Sequence, residues 1–216
     1  MGAQYDVAVI DYGMGNLHSV EKALKQVSPA SKVYVGSEAE LILAAERVVY
    51  PGVGAIRDCI GEVKRLGLDA VIKEAASRLP LLGICVGMQG LMRHSTENDG
   101  VDCLNIFNYD VECFSDHFRS RGDCAGLKVP HMGWNSVRQI PHKLWQGIAD
   151  NAQFYFVHSY FVPSAGCEEM LGEVSHGVDA VAALGRDNIF ATQFHPEKSH
   201  TSGLKLLENF MTWDGS

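Results

Sequence analysis

Cys85 stands in the segment Gly83-Ile84-Cys85-Val86-Gly87, at the end of the apolar run Leu81-Leu82-Gly83-Ile84 and the start of the helical pattern Met88, Leu91, Met92. A strand that turns sharply into a helix holds its turning residue in strained backbone, and glycines on both sides remove the clashes. The segment therefore reads as a nucleophile elbow with cysteine in the place of serine. A helix N-terminus behind a thiol favours the thiolate. The plainer alternative is a buried structural cysteine between chance glycines. That plain reading is taken for Cys59, Cys103, Cys113, Cys124 and Cys167, none of which has such a setting. No two of the six cysteines have CxxC spacing, so the sequence offers no metal site, and free thiols suit a chain with no signal-peptide pattern.

A thiol nucleophile needs a base and a group to orient it. Phe194-His195-Pro196-Glu197 follows an apolar strand, and residues two apart in an extended segment share a side, so His195 and Glu197 can project together. Alone the pair is a surface histidine beside a glutamate. At the end of another strand, and coupled to the elbow, it becomes specific. The third component is Val48-Val49-Tyr50-Pro51-Gly52-Val53-Gly54, an apolar strand ending in a glycine-rich loop. Its backbone N–H groups can face an oxyanion together with that of Val86, although taken alone it is an ordinary tight turn.

These groups must be carried by a scaffold, and the first half of the chain alternates two periodicities. Tyr5 to Ile10, Val33 to Val35, Val48 to Tyr50 and Leu81 to Ile84 read as strands. Helices fall at Leu17 to Val27, Glu38 to Ala45, Ile56 to Leu66 and Ala70 to Arg78. This alternation predicts a parallel sheet covered by helices. The second half offers short strands at Asp110 to Phe114, Phe154 to Val157, Glu173 to Ser175, Ala180 to Leu184 and Ile189 to Gln193, read as antiparallel extensions, then a helix from Ser199. Asp116 to Gly126 reads as a surface loop. No repeat or linker divides the 216 residues, so one domain, 1–216, is expected.

Composition narrows the function. With 46% hydrophobic residues there is material for a substantial core, and 18 Lys+Arg against 26 Asp+Glu give a charge of -8 that disfavours nucleic acid. No apolar stretch reaches membrane-spanning length, and Asp6 spoils a myristoylation motif at Gly2, so a cytoplasmic protein without membrane attachment is expected. Gly13-Met14-Gly15 sits where a dinucleotide fingerprint would, but His18 replaces its third glycine, so no cofactor is expected. His131, His142, His158 and His200 are too scattered for a metal motif and read as satisfied or surface residues.

The elbow GICVGMQ, the loop VYPGVGA and FHPEKS together resemble the class I glutamine amidotransferases. More narrowly, IDYGMGNLHSV, KVPHMGWN and YFVHSY are similar to the glutaminase subunits of imidazole glycerol phosphate synthases, and the motifs span nearly the whole chain. The resemblance implies an α/β fold, a flavodoxin-like three-layer sandwich with a mostly parallel sheet. It implies a Cys85, His195, Glu197 triad acting on L-glutamine, with Val53 and Val86 as oxyanion donors. The glycines on both sides of Val53 leave that peptide free to turn, and in an idle form the Gly52 carbonyl would face the nucleophile. Gln89, Glu97 and the backbone at Ser159 and Tyr160 would hold the amino acid. Gln89 lies four residues after Cys85, on the same helical face, and Glu97 offers charge for an ammonium, against the plain reading of a solvated glutamate. The implied partner is a cyclase (β/α)-barrel subunit in a heterodimer, met by Asn16, Trp134 and Lys198. One departure stands out: Cys103 to Tyr109 lacks the glycines the family carries there, and Asn105 and Asn108 are the residues able to keep its turns. Two rivals remain: a glutaminase serving another synthase, such as a surface-sugar paralogue, and a non-catalytic regulatory subunit.

Overall fold

The most apolar runs of the sequence become strands buried on both faces. The computed structural model describes residues 3–120 and 127–216. In it β1 (Val7–Ile10), β3 (Val48–Gly52) and β4 (Leu81–Cys85) are buried at every position, while β2 (Val33–Gly36) is half-buried. Continuous apolar strands of this kind require helices on both sides. Those helices are α1 (Leu17–Val27), α2 (Ala39–Leu43), α3 (Ile56–Arg65), α4 (Leu68–Arg78), α5 (Val86–Gly90), α6 (Phe114–Ser120) and α7 (His200–Thr212). Each long one buries a stripe at helical spacing, as α3 does with Ile56, Cys59, Ile60 and Val63. The remaining strands are β5 (His94–Ser95), β6 (Val101–Asp102), β7 (Asp110–Cys113), β8 (His131–Ser136), β9 (Arg138–Gln139), β10 (Gln153–His158), β11 (Tyr160–Phe161), β12 (Met170–Ser175), β13 (Asp179–Arg186) and β14 (Ile189–Thr192).

The eight-stranded central sheet has the order β2-β1-β3-β4-β14-β13-β12-β9. From β2 to β14 all neighbours are parallel; β13, β12 and β9 continue it antiparallel. The chain crosses back over β1 to reach β3, which makes this a doubly wound sheet whose ligands belong beyond the C-terminal strand ends. There β3, β4 and β14 lie side by side, with Gly52 opposite Cys85 and Thr192 opposite Ile84.

Three expectations need correction. β14 is not an antiparallel extension but a parallel neighbour of β4, which places His195 beside the elbow. β7 and β10 are outside the central sheet: β10 pairs with β8, and β7 lies between β11 and β5. Where a loop was expected from Asp116, α6 occupies Phe114–Ser120, and residues 121–126 lie outside the described residues. Phe114 explains the helix, since it is fully buried and stacked on Phe161 at 4.3 Å, and such packing overrides a polar composition. Among the described residues no helix is long and apolar enough to cross a membrane.

Candidate active site

Cys85 is held in backbone that a non-glycine residue rarely adopts, with φ 54° and ψ -110°. A conformation of this kind costs on the order of 1–3 kcal/mol and survives only where neighbours enforce it. Here β3 and β14 clamp β4 on both edges, and α5 begins at the very next residue. Gly87 is required by space: a Cβ there would lie 1.9 Å from the Tyr50 carbonyl oxygen. Gly83 is less constrained, with the nearest side-chain atoms 3.1 Å from such a Cβ. The run that departs from the family pattern closes the end of the elbow helix. Leu104 N–H donates to the Gly90 carbonyl at 2.9 Å, and Asn105 N–H to that of Met92 at 2.8 Å. Asn105 takes a positive φ of 54° as its residue type allows, whereas Asn108 does not, so only one of the two asparagines makes a left-handed turn.

His195 leaves β14 in extended backbone and points with Cys85 into one cavity. Its Nδ1 bonds Glu197 Oε1 at 2.8 Å, and both side chains are nearly inaccessible, 2% and 1% exposed. Nε2 is buried and makes no bond elsewhere. Burial works against charge on this ring, but Cys85 and Glu197 outweigh it and push the imidazole up to about 10. Ser199 secures the turn: its hydroxyl donates to the His195 carbonyl at 2.6 Å and accepts from Tyr155 N–H at 2.9 Å.

The cavity has a volume of about 320 Å³, the size of a small-ligand site, and it brings together most of the residues singled out above. Val53, Val86, Gln89, Glu97, Ser159 and Tyr160 all line it with Cys85 and His195. Glu97 is partly buried, accepts from Ile56 N–H at 3.2 Å, and is raised by desolvation. The peptides on either side of the Gly52–Val53 peptide are anchored: Tyr12 OH donates to the Pro51 carbonyl at 2.9 Å, and the Cys59 thiol to the Val53 carbonyl at 3.4 Å. Neither Tyr12 nor Cys59 was legible as a site residue, because nothing in its local sequence signals a long-range partner. His158 is the satisfied histidine rather than the surface one of the two alternatives: it is buried and its Nδ1 donates to the Tyr160 carbonyl at 2.8 Å.

Outside the cavity, Trp134 and Met132 are exposed on β8 at 42% and 63%. Trp134 stacks on His200 at 4.7 Å, and His200 shares a second groove with Lys198, Ser19 and Lys22. Trp134 and Lys198 thus lie on a continuous surface that runs to α1, whose N-cap is Asn16. Among the described cysteines all five are free, and Cys124 lies outside the described residues.

The fold and these distances define a doubly wound α/β protein that gathers a thiol, an imidazole and a carboxylate at adjoining strand ends. The chain belongs to the class I glutamine amidotransferase family, whose model matches residues 8–213. It is 56% identical to a Pseudomonas aeruginosa protein named imidazole glycerol phosphate synthase subunit HisH 1, covering 97% of both chains. To the subunit HisH of Nitrosococcus oceani it is 52% identical, over 97% of this chain and 98% of that one. The fold is also that of a crystallised glutamine amidotransferase, with a TM-score of 0.71 at 16% identity over 97% and 99% of the two chains.

Proposed function

We propose that the chain is the glutaminase subunit of an imidazole glycerol phosphate synthase, and that Cys85, His195 and Glu197 are its catalytic triad. Sγ of Cys85 attacks the side-chain amide carbon of glutamine as the thiol proton passes to His195. The tetrahedral oxyanion meets the N–H groups of Val86 and Val53. His195 then protonates the leaving nitrogen, ammonia departs, and a γ-glutamyl thioester remains. Water, deprotonated by His195, cleaves the thioester and returns glutamate and the free thiol. Glu197 keeps the imidazole in the tautomer and orientation both steps need. Gln89, Glu97 and the backbone of Ser159 and Tyr160 hold the amino acid. No cofactor is needed.

The ammonia goes to a cyclase (β/α)-barrel subunit, bound as a heterodimer on the surface of Asn16, Trp134 and Lys198, in the cytoplasm and for histidine biosynthesis. The whole chain acts as one domain. Hydrolysis without an acceptor wastes glutamine, so the subunit idles alone, with the Gly52 carbonyl rather than the Val53 N–H turned toward Cys85. The observation that carries the reading is that His195, paired with the buried carboxylate of Glu197, shares one cavity with the strained Cys85. Relatives bearing the HisH name favour this synthase over a surface-sugar one.

Glutamate release tests it. The isolated chain should hydrolyse glutamine barely above background, and adding the barrel with its nucleotide ligand should raise the rate about 100- to 1000-fold, the effect of one oxyanion donor. Cys85→Ser should abolish the rise while still binding the barrel. Hydrolysis by that variant comparable to wild type would refute the nucleophile, and full turnover by the chain alone would refute the idle form.

A further inference from the structure

The Tyr160 carbonyl fixes the polarity of a buried chain of side chains that ends on the nucleophile. A carbonyl only accepts, so Gln89, which meets it at 3.0 Å, must present its NH₂ group there. The second N–H of that group donates to the side-chain oxygen of Gln193 at 3.0 Å. Gln193 is thereby turned with its own NH₂ toward Cys85 Sγ, 3.8 Å away and within reach of a sulfur acceptor.

The other side of the same carbonyl is as firmly set. His158 donates to it through Nδ1, so its Nε2 accepts, and the donor is His131 Nδ1 at 3.0 Å. His131 Nε2 accepts in turn from Asn135 Nδ2 at 3.2 Å, and that nitrogen is fixed as a donor by the Ser175 carbonyl at 2.9 Å. Both imidazoles are neutral in this arrangement, and burial lowers both, to about 4 for His131 and about 3 for His158. No member of the chain can be reversed without setting donor against donor or acceptor against acceptor. Gln193 has no exposed surface at all, so its amide cannot exchange these partners for water.

We propose that Gln193 is a further catalytic residue, whose amide N–H, aimed by this chain, donates to the Cys85 sulfur as its thiolate forms. A thiol is a weak acceptor and a thiolate a strong one, so a fixed buried donor favours the charged, attacking form. When the sulfur–carbon bond forms, that charge moves to the substrate oxygen and the contact weakens as the oxyanion donors take over. The proposal rests on the reading of Cys85 as the nucleophile. Other titratable groups face the same sulfur: His195 with Glu197 behind it, Tyr12 and Cys59, while Glu97 lines the shared cavity. None of them is altered by substituting Gln193.

The experiment measures the pH dependence of Cys85 alkylation by iodoacetamide in the full chain, with the labelled peptide identified by mass, and glutamine hydrolysis with the cyclase present. Gln193→Met keeps the length and removes the donor. Its alkylation midpoint should rise by about one pH unit, making labelling about tenfold slower below the midpoint, with kcat about tenfold lower and KM nearly unchanged. Gln193→Glu keeps the acceptor for Gln89 but places a carboxylate against the sulfur, and should move the midpoint further in the same direction. Should Gln193→Met fail to fold, Gln193→Glu carries the test alone. An unmoved midpoint in a folded variant, even with lowered thermal stability, would overturn the proposal and leave Gln193 a packing residue. Hydrolysis that survives Cys85→Ser would instead overturn the nucleophile, so the two failures are distinguishable.

Discussion

His195 carries the proton through both halves of the proposed reaction, and its surroundings state the pH range in which it can do so. Burial opposes its charge, yet Cys85 and Glu197 outweigh burial and raise it to about 10, so a proton taken from the thiol is retained on the ring until the departing nitrogen needs it. The sign follows for stability as well: the raised group contributes fully below its ordinary value and loses that contribution as pH climbs through the folded one. Glu197→Gln removes one of the raising groups. Its glutaminase pH profile should keep a lower kcat, by at least about tenfold, and its alkaline limb should move to lower pH. An alkaline limb that stays where wild type has it would show that Glu197 does not set the charge of this ring. At this scale the sequence was most informative where function is local. Cys85 and its glycines, and His195 with Glu197, were legible because spacing along one strand end sets their geometry. Gln193 stands two residues before His195 and was passed over, since its meaning comes from Gln89 and Tyr160, far away in the chain.

Elements position these residues, and the elbow shows how tightly. Because a Cβ on Gly87 would meet backbone of β3 at 1.9 Å, the neighbour cannot yield as a flexible side chain would. Gly87→Ala should therefore shift α5 and cost about 1–3 kcal/mol in stability, read as a lowered urea midpoint, with hydrolysis reduced at least tenfold. A variant with unchanged midpoint and rate would show that the helix start does not need this contact. The buried parallel strands and long amphipathic helices were legible because their periodicities are strong. β14 was recognised as a strand, but its direction was not, since pairing with β4 is a long-range property. β8 went unrecognised because His131-Met132-Gly133-Trp134-Asn135-Ser136 lacks a β-branched apolar alternation, and its order comes from pairing with β10. α6 was missed for the opposite reason: Phe114 docks on Phe161 and brings a polar helix with it.

Across the whole molecule, the proposed triad meets the surface proposed for the cyclase at Glu197. Glu197 contributes to the groove that Lys198 shares with α1, although its carboxylate is turned inward to His195. Lys198 is exposed and adjoins this groove, so a docked partner would cover it. Lys198→Ala should weaken synthase activity supported by glutamine more than activity supported by added ammonium, which bypasses the glutaminase; for an exposed charge pair about two- to fivefold is expected. Equal losses with both nitrogen donors, or none, would remove Lys198 from the interface. The central claim, that this chain hydrolyses glutamine through a thioester on Cys85, is tested most directly by treating the purified protein with a diazoketone analogue of glutamine and reading intact mass and modified peptide. One adduct per chain, on the peptide containing Cys85, blocked by excess glutamine and absent from Cys85→Ser, is the predicted result. Labelling elsewhere, or labelling that Cys85→Ser retains, would contradict the account.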